Sequence, residues 1–254
     1  MTVESKVWDT NRPCLSHRVN AVDPFKPSPG NFPKTGDDTI AGGIFCISLT
    51  DLPTWLSQHG INPAYTGAES PKTPGQVTTG SGPYPAGMTT DSSLPNHTIY
   101  APKTPPANLS MPFIAWGEGS CAMDGAAYRF LLTEIASHGY VIAADGPASG
   151  GSMATQSQVQ TMRDSLEWAF KGNAKKYGDV DLDRVATAGH SCGGLESMST
   201  AYHDDRVKRI MLFDISIFQD DRRYLLQEIK VPVAWFVGGP GDMGYTNVRK
   251  LSPV

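Results

Sequence analysis

The sequence predicts an α/β fold, a mostly parallel sheet with helices on both faces. Three observations predict it. From residue 80 onward, apolar runs of strand character alternate with segments of helical period. The strand runs are continuously apolar, as strands buried on both faces are. The stretches joining them exceed about ten residues, enough for helical crossovers between parallel neighbours.

The elements follow in order. Residues 97–100 alternate like a strand, and Pro102, Pro105 and Pro106 end it. Residues 111–116 read as a short buried strand, followed by the loop Gly117-Glu118-Gly119-Ser120-Cys121. A helix comes next: Asp124 is placed to cap it, and Tyr128, Leu131, Leu132 and Ile135 share one face. His138-Gly139 ends that helix with a left-handed glycine. Residues 140–144 form the next buried strand, and a Gly/Ser-rich loop over 145–152 leads to a second helix. Its apolar face is Val159, Met162, Leu166, Ala169 and Phe170. Strands are expected at 184–188, 207–213 and 231–237, with helices at 195–202 and 220–228.

Residues 1–79 read differently. Prolines recur at 13, 24, 27, 29, 33, 53, 63, 71 and 74, and neither strand nor helix period persists. They are expected to form an irregular, disordered leader ahead of a domain spanning 80–254. Two stretches stand out within it. Residues 40–49 suit a buried strand or the apolar centre of a signal sequence behind an extra leader. Residues 51–60 suit a short helix with Leu52, Trp55 and Leu56 on one face.

Composition excludes several classes. A net charge of −4 leaves no basic footprint for nucleic acid. No apolar run is long enough to span a bilayer. No His, Cys or Asp spacing resembles a zinc site, and no cofactor is expected. The compartment stays open. Met1 to Lys6 is no signal peptide, which suits the cytoplasm. The sequons Asn96-His97-Thr98 and Asn108-Leu109-Ser110, with four cysteines, suit an extracellular protein whose N-terminus has been misassigned.

The chemistry centres on Gly189-His190-Ser191-Cys192-Gly193, a Gly-x-Ser-x-Gly between a strand run and a helix run. A turn that tight strains the serine backbone and leaves no room for a Cβ two residues to either side. It holds the hydroxyl above the sheet edge at a helix N-terminus, where free N–H groups favour a developing oxyanion. A serine hydroxyl also needs an adjacent base.

Four segments carry a family resemblance: Gly82-Pro83-Tyr84-Pro85, Trp116-Gly117-Glu118-Gly119-Ser120-Cys121, Gly189-His190-Ser191-Cys192-Gly193-Gly194 and Gly238-Gly239-Pro240-Gly241-Asp242. Through them, residues 82–245 resemble the serine branch of the dienelactone-hydrolase and polyester-hydrolase (cutinase-like) relatives, in particular fungal secreted α/β-hydrolases. The resemblance implies an α/β-hydrolase fold and hydrolysis of a small or polymeric carboxylic ester through an acyl-serine at Ser191. It places the oxyanion donors at the Cys192 and Glu118 N–H groups, with Gly117 beside them. It places the acid at Asp242, with Asp214 as the alternative, and brings Cys121 and Cys192 within reach of a disulfide.

None of the six histidines matches the family base. His17 and His59 fall in the leader, and His97 opens a strand at the far side of the sheet. His138 ends a helix, His190 lies within the elbow facing away from the hydroxyl, and His203 ends the helix that leaves the site. The chain therefore reads as C-terminally truncated, lacking the last strand and helix, with impaired activity and an exposed edge at 231–237. Two other readings stay open: a non-catalytic binding protein of hydrolase fold, and thiol chemistry at Cys192.

Overall fold

A computed structural model describes residues 2–4, 79–149, 156–218, 224–239, 241–242 and 244–249. The stretches at 40–49 and 51–60 lie outside the described residues. Eight strands are described: β1 (Thr2–Glu4), β2 (Ala86–Thr90), β3 (His97–Pro102), β4 (Met111–Gly117), β5 (Val141–Asp145), β6 (Val180–His190), β7 (Arg209–Phe213) and β8 (Val233–Val237). The described α-helices are α1 (Arg129–Ser137), α2 (Val159–Phe170), α3 (Cys192–Ala201), α4 (Tyr224–Glu228) and α5 (Tyr245–Arg249).

The strands form one sheet in the order β1-β8-β7-β6-β4-β5-β3-β2. From β8 to β5 they run parallel; β3, β2 and β1 are antiparallel additions at the two ends. This is the expected α/β class. Alternation along the strands divides the core. Phe113 and Ala115 of β4 point into a cluster with Met162 and Leu166 of α2 and Leu195 and Met198 of α3. Ile114 and Trp116 point the other way, against Leu132 and Ala136 of α1. At roughly 25 cal/mol per Å² of apolar surface, these two layers supply the main drive to fold.

Several details depart from expectation. α1 starts at Arg129, because Asp124 spends its carboxylate on a local turn, accepting the Ala126 N–H at 3.1 Å. Leu131 and Phe170, both expected on buried faces, are 37% exposed. Leu132 is buried as expected, but the buried face continues through Ala136 rather than Leu131, and the Arg206 guanidinium covers the Phe170 ring. β2 has no apolar run to announce it; it forms by pairing with β3.

The edge at 231–237 was expected to be bare, and is not. β1 pairs antiparallel with β8, Thr2 opposite Val237 and Glu4 opposite Trp235. A ladder uses backbone groups that every sequence carries, so three polar-flanked residues of the leader can cover an edge without an apolar pattern.

The sheet order fixes where a site can form. The crossover from β4 leads to β5 on one side, and that from β6 leads to β7 on the other. The carboxyl ends of β4 and β6 are thus a topological switch point, where the loops diverge and leave a crevice. The two strands and α3 meet there backbone to backbone. A Cβ on Gly117 would lie 2.7 Å from the Gly193 Cα, and one on Gly193 would overlap the Gly117 carbonyl. A Cβ on Gly189 would overlap Gly193 in the same way. Gly193→Ala is therefore expected to destabilise the fold by about 2–3 kcal/mol or more, since no flexible side chain can yield. Urea denaturation of the variant checks this; a loss below about 0.5 kcal/mol would contradict the packing.

Candidate active site

Ser191 sits between the last residue of β6 and the first of α3, with φ 51° and ψ −117°. That is the strained strand-to-helix turn expected of the motif. Its own N–H donates to the Phe213 carbonyl at 2.9 Å, and its carbonyl accepts from Gly194 at 3.0 Å. The backbone at Ser191 is thus tied to β7 on one side and to α3 on the other. These bonds over-determine a conformation that costs of order 1–3 kcal/mol.

The loop after β4 faces this turn. Glu118 accepts the Gly193 N–H at 3.0 Å, so the first turn of α3 is anchored on the loop. The Cys192 and Glu118 N–H groups, the two expected oxyanion donors, make no hydrogen bond to a described residue. Beyond Glu118 the chain makes a short 3₁₀ turn, Gly119–Cys121, in which Ser120 and Cys121 have φ of 58° and 50°. A Cys121–Cys192 disulfide closes the assembly, with Cα atoms 5.2 Å apart. The expected bridge is thus present.

The two candidate acids, weighed as alternatives, come together. Asp214 directly follows β7 with φ 50°, and Asp242 lies in the turn after β8. Asp242 accepts the Gly238 and Gly244 N–H groups, each at 2.6 Å. Its pKa is pushed up to about 6, by burial first and then by the hydrogen-bonded Asp214 carboxylate, against those two donors. The pKa of Asp214 is lowered, chiefly by His190. Of the two, Asp242 is thus the one that takes up a proton first as pH falls, and Asp214 the one that stays a carboxylate.

His190 is the third member of this row. Its Nε2 faces Asp214 Oδ2 at 3.5 Å, and its Nδ1 meets the Tyr128 hydroxyl at 2.5 Å. The carboxylate favours a proton on Nε2, leaving Nδ1 to accept from Tyr128. Both nitrogens are engaged, which matches the expectation that His190 does not serve the hydroxyl. The other described histidines are also held: His138 by Glu134, His203 by Glu228, and His97 by the Thr161 carbonyl. His97 does lie on the same edge of the sheet as Ser191, opposite Asp145. Three strand spacings, about 14 Å, separate their strands. His17 and His59 lie outside the described residues.

Glu118 is expected to matter through its backbone; its side chain carries a second feature that no local pattern signals. That carboxyl is fully buried, and neither oxygen has a hydrogen-bond partner. Burial pushes its pKa up to about 9; the nearby Trp116 indole opposes this, and the carboxylates of Asp145, Asp124 and Glu196 add to it. Tyr128 was read only as an apolar-face residue. Its contact with His190 spans 62 positions, and no local pattern signals it.

Among the described residues no group of three His, Cys, Asp or Glu side chains could hold a metal ion. No helix of the described residues is long and apolar enough to cross a membrane. No protein-family model matches the chain, and no curated protein matches it.

The Glu118 carboxyl gives a pH dependence with a definite sign. Folded, it keeps its proton up to about pH 9; unfolded, it releases it near 4.5. The folded state thus binds more protons between those limits, and its contribution to stability falls as pH rises through them. Glu118→Gln is expected to raise Tm at pH 8 by at least about 2–4 °C and to leave it nearly unchanged at pH 4.5. Calorimetry at the two pH values checks this; an equal shift at both would contradict it.

Proposed function

We propose that the chain carries the acyl-serine site of a carboxylic ester hydrolase of α/β-hydrolase type. The observation that carries this reading is the strained Ser191 at the switch point, flanked by the Cys192 and Glu118 N–H groups, which make no hydrogen bond to a described residue. An ester carbonyl held there would receive the Ser191 hydroxyl, and its oxygen would take charge between Cys192 N–H and Glu118 N–H. The Asp214–Asp242 pair lies along the same edge, where a base would need an acid to orient it. Substrates would be small or polymeric esters of carboxylic acids. The resemblance to dienelactone-hydrolase and polyester-hydrolase relatives supports the same chemistry.

Among the described residues no histidine is free to act as the base. All four described histidines are held by other groups, and no histidine follows Asp242 in the sequence. This favours a second reading, in which the crevice binds an ester or acid without turning it over. The two readings separate by chemical rescue. A serine with an intact oxyanion hole but no base retains a modest rate, of order 10³–10⁴ over water. Imidazole in solution should then accelerate p-nitrophenyl acetate hydrolysis well beyond its own background rate. Ser191→Ala should remove that excess. An imidazole rate identical in the two proteins would leave only the binding reading.

A further inference from the structure

The geometry points to Cys121 and Cys192 as positioning residues: their disulfide holds the two oxyanion donors in register, and its reduction switches the site off without unfolding the domain. The inference rests on the acyl-serine reading. Cys192 is the residue after Ser191 and owns one donor N–H. Cys121 ends the turn that begins just after Glu118, owner of the other. The bridge thus spans the gap between the loop after β4 and the first turn of α3, joining parts 71 residues apart in sequence.

What it holds would not hold itself. Ser120 and Cys121 are consecutive non-glycine residues at positive φ, in a turn that lacks a side-chain cap. Each costs of order 1–2 kcal/mol against a relaxed backbone. Besides the bridge, the described ties on this turn are few: Ala122 donates to Gly119, Ser157 donates to the Cys121 carbonyl at 2.7 Å, and Glu118 accepts from Gly193. Of these, only the Glu118–Gly193 bond reaches across to α3. The strands beneath are fixed independently by their ladder and by the two core layers, so losing the bridge leaves the sheet intact.

Reduction by a dithiol such as dithiothreitol balances simply. Two electrons and two protons pass to the bridge, giving the Cys121 and Cys192 thiols, while the reductant closes to its cyclic disulfide. The sulfurs belong to residues 5% and 8% exposed, so the exchange is expected to be slow but complete.

The experiment compares the oxidised 254-residue protein, the same protein after dithiothreitol, and a Cys121→Ala/Cys192→Ala variant. Amide hydrogen exchange is followed by peptide, and imidazole-assisted p-nitrophenyl acetate hydrolysis is resolved into kcat and KM. Exchange is expected to rise at least about tenfold in peptides covering 118–122 and 192–194 and to stay unchanged in β5. The kcat should drop by about 10–100-fold, approaching the loss of one oxyanion donor, with KM within about twofold. Removing the reductant should restore both. Unchanged exchange in those two segments would overturn the inference. So would a rise across the whole sheet, or a KM effect with kcat intact, either of which marks a bridge that merely stabilises. The exchange arm needs no turnover. If the oxidised protein shows no Ser191-dependent hydrolysis, the acyl-serine reading fails on its own while the clamp is still decided.

Discussion

The close approach of three glycines organises this molecule. Gly117 ends β4, Gly189 lies near the end of β6, and Gly193 is the second residue of α3; their backbones touch where a single Cβ would intrude. Because they touch, α3 can start directly over the strand ends, and Ser191 is forced into its left-handed conformation. The Gly193 N–H then reaches the Glu118 carbonyl, which fixes where the loop after β4 can go. Sheet order, the turn at Ser191 and the path of the loop after β4 are therefore one constraint seen at three scales. The switch point supplies the crevice, and the glycines supply the contact that fills it.

Around that junction the molecule places polar groups of opposite habit. On one side lies a row from Tyr128 through His190 and Asp214 to Asp242, part exposed and fully partnered. Beneath the loop lie carboxyls that water does not reach: Glu118, Asp145 and Glu196 are all fully buried. Glu196 takes the Ser157 hydroxyl, and Asp145 faces His97 Nε2 at 3.3 Å. For Glu118, burial outweighs the opposing Trp116 indole, and neighbouring carboxylates add to it, so the neutral form is the cheaper state up to about pH 9. A neutral Glu118 also spares its own backbone N–H a negative neighbour.

Much of this was legible from residue patterns, for identifiable reasons. Continuous apolar runs specify strands buried on both faces, and β4, β5 and β7 fall within two residues of where they were expected. Gly-x-Ser-x-Gly specifies a backbone conformation, and Ser191 adopts it. What escaped depends on side chains meeting across long separations. Nothing near Asp214 or Asp242 says that they meet, because their contact is made by the order of β7 and β8. β1 escaped for a different reason: a three-residue edge strand needs only backbone groups. Leu131 was misplaced because a helix face read from period alone is uncertain by one residue, about 100° of rotation.

The junction also has a temporal side. The Cys121–Cys192 link closes a loop of 71 residues, and the Gly117–Gly193 contact closes one of similar size. Between them in sequence lie α1, β5, α2 and β6. No local segment can therefore make the strained serine by itself; it exists only after β4 and β6 have paired and α3 has docked. Non-local closures of this kind come late and slow the approach to the native state. The strained turn at Ser191 is thus withheld until distant parts of the chain have met, and it appears only with the finished junction.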